Sequence, residues 1–100
     1  MDRSVVVYLI ANNKVKNSLG IWEDATTERQ VFADVTSISQ SEWYEGGRAG
    51  LNPALRFRMF APDYQGEATL RYEDTVYAIY RTYVDRNEII DLYTEVKKGI

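Results

Sequence analysis

The ten residues Thr75-Val-Tyr-Ala-Ile-Tyr-Arg-Thr-Tyr-Val84 limit the fold more than any other segment, because they hold three tyrosines and five β-branched residues with no Gly or Pro. Such side chains fit a pleated, half-buried surface, so the segment reads as a strand and anchors a β-rich reading of the chain. Alternation assigns Val76, Ala78, Tyr80 and Val84 to one face and Tyr77, Ile79, Arg81 and Tyr83 to the other. Both faces are apolar, as in a barrel wall pressed against a neighbour.

Period-two patterning recurs along the chain. Residues 4 to 11 form a continuous apolar run ended by Asn12-Asn-Lys14, and residues 13 to 27 lack clear periodicity. Within them Gly20-Ile-Trp22 can open a short strand and Glu23-Asp-Ala-Thr-Thr27 reads as a polar turn. Residues 29 to 38 read as a long strand with Val31, Ala33 and Val35 on one face and Phe32, Thr36 and Ile38 on the other. Ser39-Gln-Ser-Glu42 is a capping box, which predicts a short helix over residues 40 to 46 with Trp43 or Tyr44 inward. Gly46-Gly47 supplies the helix stop, and Arg48-Ala-Gly-Leu-Asn-Pro53 reads as a loop.

Beyond Pro53 the chain reads as consecutive antiparallel strands. Leu55, Phe57, Met59 and Ala61 alternate with Arg56, Arg58 and Phe60, a turn follows at Pro62 to Gly66, and Ala68, Leu70 and Tyr72 alternate with Glu67, Thr69 and Arg71. Glu73-Asp74 is a tight connection into the 75 to 84 strand, and Asp85-Arg-Asn87 is a further turn. Residues 88 to 96 match both strand and helix spacing; their β-branched content and hairpin distance favour the strand. The expected fold is mainly β, a small antiparallel barrel or sandwich of five to six strands with one short helix inserted between the second and third long strands. Residues 1 to 100 form a single domain with a helix-loop insertion at 40 to 53.

Composition narrows the chemistry. The sequence has no Cys and no His, which removes disulfides, thiolate nucleophiles, imidazole bases and Cys/His metal cages. An enzyme is therefore the least expected class, with no cofactor or metal implied. The formal charge of -3 argues against a monomer that holds nucleic acid by bulk electrostatics. The longest apolar run, Val5 to Ala11, is too short to span a bilayer and has no signal-peptide pattern ahead of it, so an intracellular protein without membrane contact is expected.

Several residue groups carry possible chemistry beside plainer readings. Asp63, Glu67, Glu73 and Asp74 fall at hairpin turns, where solvated acids are ordinary. Arg56, Arg58 and Arg71 are expected on the outer face of one hairpin, with Arg81 on the adjacent strand, placed either to face phosphate or to pair with acids such as Glu67 or Glu73. Tyr72, Tyr77, Tyr80, Tyr83 and Tyr93 suggest a stacking platform on an OB-like barrel, although most are expected in core and rim. Gly46-Gly47-Arg48-Ala-Gly50 lacks the ending of a phosphate loop and reads as a segment able to change shape.

Together, Arg29-Gln-Val-Phe-Ala-Asp-Val-x-Ser-Ile-Ser-Gln-Ser-Glu-Trp-Tyr44, Gly50-Leu, Asp63-Tyr-x-Gly-Glu67 and Tyr77-x-Ile-Tyr-Arg-Thr-Tyr83 resemble the tailed-phage head-tail joining proteins, also called head closure, stopper or head-tail adaptor proteins. The similarity runs from about residue 28 to Gly99 and rests on order and spacing. It implies a non-enzymatic structural protein of the virion, made in the host cytoplasm. Such a chain forms a ring with copies of itself below the portal and adaptor, retains the packaged double-stranded DNA, and offers a docking surface to tail completion or tail proteins. The resemblance makes Glu45, Gly46, Gly47, Arg48 and Gly50 a candidate DNA-gating loop. Phe32, Phe60, Tyr77 and Tyr83 are candidate subunit or partner contacts, and Arg56, Arg58 and Arg71 candidate phosphate-facing groups. The competing classes are an OB-like single-stranded nucleic-acid binding module and a tail completion protein of the same junction.

Overall fold

A computed structural model describes residues 5–86 and 88–97; the expected strand start at Ser4 and turn residue Asn87 lie outside them. Six strands and one helix follow in order: β1 (Val5–Lys16), β2 (Trp22–Ser37), α1 (Gln40–Arg48), β3 (Pro53–Phe60), β4 (Thr69–Tyr72), β5 (Thr75–Val84) and β6 (Ile89–Val96). A 3-10 turn, Ala61–Asp63, lies between β3 and β4. The strands close into an antiparallel barrel in the order β1-β2-β3-β6-β5-β4. Of the expected barrel or sandwich with five to six strands, the structure is the six-stranded barrel; the short helix lies between β2 and β3 as expected, and residues 89 to 96 are strand.

The inner wall is where the alternating apolar positions converge. Val7, Leu9, Val31, Ala33, Phe57, Met59, Leu70, Tyr77, Ile90 and Leu92 form the buried core. Phe57 packs edge-on against Tyr72 and Tyr77, with ring centroids 5.5 and 5.6 Å apart, an arrangement that adds to the area-driven gain of burying aromatic rings. Thr94 is fully buried and remains satisfied because its hydroxyl donates to the Leu55 carbonyl at 2.8 Å.

Strand order departs from a run of simple hairpins. β3 pairs with β2 and β6 and makes no ladder with β4, because β6 is inserted between β3 and β5 while β4 closes onto β1. The expected hairpin carrying Arg56, Arg58 and Arg71 on one face is therefore absent. β5 also departs from strict alternation: the register to β6 shifts between Ile79 and Arg81. Tyr77 and Ile79 pack with the core, whereas Arg81 and Tyr83 lie opposite the outward residues Tyr93 and Asp91. A bulge inserts one extra residue, so the expected common face of Tyr77, Ile79, Arg81 and Tyr83 is split.

The largest departure is at the first two strands. β1 runs on to Lys16 and β2 begins at Trp22, paired continuously from Val5–Ala33 to Lys16–Trp22. Residues expected as a terminator (12 to 14) and a polar turn (23 to 27) are thus the two rails of a long hairpin. β1 meets β4 only over Val7–Ile10 and β2 meets β3 only over Asp34–Ser37, so the rest projects as a two-stranded arm from a molecule 51 × 30 × 25 Å in extent. Asn17 builds the tip: its side-chain oxygen accepts from the backbone N–H groups of Leu19 and Ile21, and Gly20 takes φ +79°.

α1 starts as the capping box predicts, with the Ser39 hydroxyl accepting from the Glu42 N–H at 3.2 Å. It does not stop at Gly46-Gly47. Both glycines are helical, the helix ends at Arg48, and Gly50 supplies the left-handed residue at φ +81°. Gly46 is buried because the start of β3 lies against it: an added Cβ would run into the Pro53 Cγ. We expect Gly46→Ala to destabilise the protein by about 1–3 kcal/mol through overpacking against a ring that cannot rotate away. Gly47→Ala, with nothing within 4 Å of its Cβ, should stabilise it by about 0.5–1 kcal/mol. Urea unfolding of both variants measures the opposite signs.

Candidate functional site

Register arranges the outer wall in rows across β2, β3, β6 and β5. One row is ionic: Asp34 pairs with Arg58, Arg58 with Asp91, and Asp91 with Tyr83. Arg58 grips Asp91 through two hydrogen bonds, Nε to Oδ1 at 2.6 Å and Nη2 to Oδ2 at 3.0 Å. The bidentate bond to this carboxylate pushes the Arg58 guanidinium up from its ordinary value. Next along lies an apolar row. Phe60 pairs with Ile89, and continuing the β2–β3 count two residues past Asp34–Arg58 sets Phe32 at the level of Phe60. Phe32 is 54% exposed and Phe60 37% exposed.

On the other side of the ionic row stand Thr36, Arg56, Tyr93 and Arg81, successive partners in the same ladders. Arg56 donates to the Thr36 hydroxyl at 3.0 Å. The Arg81 guanidinium lies 4.1 Å from the Tyr93 ring centroid and bridges to Glu42 of α1, whose carboxylate also accepts from the Tyr80 hydroxyl at 3.2 Å. These contacts hold α1 on the barrel. Burial, then the charge of Glu95, pushes the Tyr80 hydroxyl up, so it stays a donor. A cleft of about 390 Å³ remains between helix and wall, lined by Glu42, Glu45, Gly46, Leu51, Tyr80 and Arg81.

With its inward side occupied by Glu42 and Gly46, α1 turns its aromatics outward. Trp43 and Tyr44 are both more than half exposed and meet edge to face at 5.5 Å. The expectation that one of them points inward is thus incorrect: the polar Glu42 and the side-chain-free Gly46 face the barrel instead. Two large aromatics exposed side by side form an apolar patch on the outer surface. It lies at the pole where β2 ends and β3 begins, while Phe32 and Phe60 lie toward the pole from which the arm projects.

The other sequence candidates separate as follows. Tyr77 is core and forms no part of an outer surface, while Phe32, Phe60 and Tyr83 remain exposed. Of the candidate gating loop, Glu45, Gly46, Gly47 and Arg48 are helix and only Gly50 lies past it. Arg56, Arg58 and Arg71 do not share one hairpin face: Arg58 pairs with Asp91 and Arg71 with Glu28, while Arg56 donates to the Thr36 hydroxyl. Arg71 donates to Glu28 at 2.7 Å and lies 4.4 Å from the Tyr8 ring centroid. The stacking platform is likewise divided: Tyr72 packs with the core beside Tyr77, while Tyr80, Tyr83 and Tyr93 are outside.

Glu67, expected at a solvated turn, is buried. Its carboxylate accepts from Arg29 Nη2 at 2.8 Å and from the Gln65 N–H at 2.8 Å; Arg29 also donates to the Asp63 carbonyl, and the Tyr64 hydroxyl donates to the Glu67 carbonyl at 2.7 Å. The site ties β2 to the β3–β4 connection. Burial alone would raise the Glu67 carboxyl, but hydrogen bonds from Arg29 and from the backbone overcome it and hold the group below the usual carboxylate value. Among the described residues no group of three or more His, Cys, Asp or Glu is placed to hold a metal, and no helix is long and apolar enough to cross a membrane.

Comparison with protein-family models finds no match, and comparison with curated proteins finds none.

Because the folded Glu67 value lies below the unfolded one, its contribution is fully present above about pH 4.5 and is lost as pH falls through the lower folded value. Glu67→Gln should therefore cost about 1–3 kcal/mol at neutral pH. It should also flatten the loss of stability on acidification below pH 4.5, as read from urea midpoints across a pH series.

Proposed function

We propose that this chain is a non-catalytic head closure protein of a tailed phage, a ring component between the portal and adaptor on one side and the tail on the other. The observation that carries the reading is the placement of exposed aromatics toward two poles of one small barrel: Trp43 and Tyr44 toward one, Phe32 and Phe60 toward the other. A connector needs separate contacts above and below, and exposed aromatics are strong anchors for such contacts. The residues that carry the family resemblance sit in the barrel wall and around α1: Val31 to Val35 in β2, Ser39 to Tyr44 across the helix start, and Tyr77 to Tyr83 in β5.

The pairing of Arg58, Arg71 and Arg81 with carboxylates of this chain supports a structural role over an OB-like nucleic-acid module, which needs basic side chains available to phosphate. DNA retention in this reading comes from the assembled ring around its channel. The helix and its connection to β3 act as a fixed docking element held by Glu42 and Gly46, rather than as a mobile gate.

Electron microscopy of particles assembled with and without the protein tests the reading. Particles lacking it should lose packaged DNA and fail to join tails. Trp43→Ala/Tyr44→Ala should keep the barrel's stability within about 0.5 kcal/mol yet reduce joining severely. Full DNA retention and normal tail attachment without the chain would remove the basis of the proposal.

A further inference from the structure

The arm formed by the distal halves of β1 and β2 has two free edges. Beyond Ile10, β1 has no strand beside it on the β4 side, and before Asp34, β2 has none on the β3 side, among the described residues. An isolated two-stranded ribbon is at best marginally stable in water, and an open edge invites another strand. The apolar side chains at the end of the arm are uncovered as well: Leu19 is 81%, Ile21 58% and Trp22 64% exposed.

The edges differ in charge. Along β1 the exposed rail carries Lys14 and Lys16 with no acid, whereas β2 carries Glu23, Asp24 and Glu28 before Arg29. Within one arm this complementarity is already in use, since Lys14 reaches Asp24 at 2.6 Å. Lys14, Lys16, Asp24 and Glu28 share one face of the ribbon by register. Setting the acidic rail of one arm beside the basic rail of another repeats the pairing outward. At the root, a cleft of about 410 Å³ runs along the β1 edge between Ala11 to Asn13 and Gln65 to Ala68, leaving room for a strand.

We propose that the arm is the contact between copies of this chain, with the β2 edge of one copy adding to the β1 edge of the next. Rotation about an axis along the arms keeps them pointing the same way. The descending strand of one copy then lies beside the ascending strand of its neighbour, which gives an antiparallel ladder of the kind already joining β1 to β2. The contact is head to tail, so it propagates around a ring and leaves no edge when the ring closes. The proposal rests on the assembly reading for its symmetry, and it names the second copy as the partner.

Charge exchange tests it. Wild-type protein should self-associate in sedimentation velocity across a concentration series, and the variants Lys14→Glu and Asp24→Lys, at positions that face each other across the ribbon, should each raise the apparent dissociation constant about tenfold or more. An equimolar mixture of the two should recover association. Repulsion within each arm persists in the mixture, so recovery can arise only between copies. The chain carrying both reversals keeps the pairing within and between arms and should associate like wild type. A wild type that stays monomeric throughout, variants that associate unchanged, a mixture of folded variants that does not recover, or a double variant that stays monomeric would each overturn the arm contact. None of these decides head closure, which is read separately from DNA retention in particles lacking the chain.

Discussion

Four residue pairs, from Val7–Tyr72 to Ile10–Thr69, join the first strand to the fourth and turn a six-stranded sheet into a barrel. Everything else about the surface depends on that closure. Once the wall is continuous, each strand has one face committed to Phe57, Leu9, Met59 and their neighbours and one face committed to the outside. The rows of the outer wall follow from registry alone, which is why Arg58 meets Asp91 and Arg81 meets Tyr93 although these residues are scattered in the chain.

The internal ion pairs bear on function through what they use up. Arg29, Arg58, Arg71 and Arg81 each find a carboxylate on another element, and the Glu67 and Asp91 partners are nearly out of solvent. Removing one member of such a pair leaves a charge without its solvation, so these contacts fix the position of neighbouring elements more than they add to net stability. Outside these pairs the surface shows exposed aromatics such as Phe32, Trp43 and Tyr44 together with the charged rails of the arm.

Local pattern made much of this legible in the sequence. Alternation placed β3, β4 and β6 and the burial of Phe57, Met59, Leu70 and Leu92, and the Ser39 to Glu42 spacing marked the start of α1. What was illegible depends on contacts distant in the chain or on a segment with no core beneath it. The arm residues 12 to 27 contribute nothing to the buried core, so no apolar period marks them as strand. Gly46 looks like a helix stop until Pro53 is seen lying on it, and the bulge before Arg81 cannot be read from residue types that suit either face. The candidate site was legible in part for the same reason. Phe32, Phe60 and Tyr83 do face outward, but the arginine partners and the outward turn of Trp43 and Tyr44 required the strand order.

The span of each ladder along the chain has a kinetic meaning. β1–β2, β4–β5 and β5–β6 are joined by short connections, whereas β3–β6 and, above all, β1–β4 bring together segments far apart in sequence. Loop entropy is spent before such contacts are gained, so β1–β4 is the pairing that topology makes slowest. Until it forms the sheet is open, and Leu9 and Leu70, partners across that seam, lie on unpaired edges that another chain could meet first.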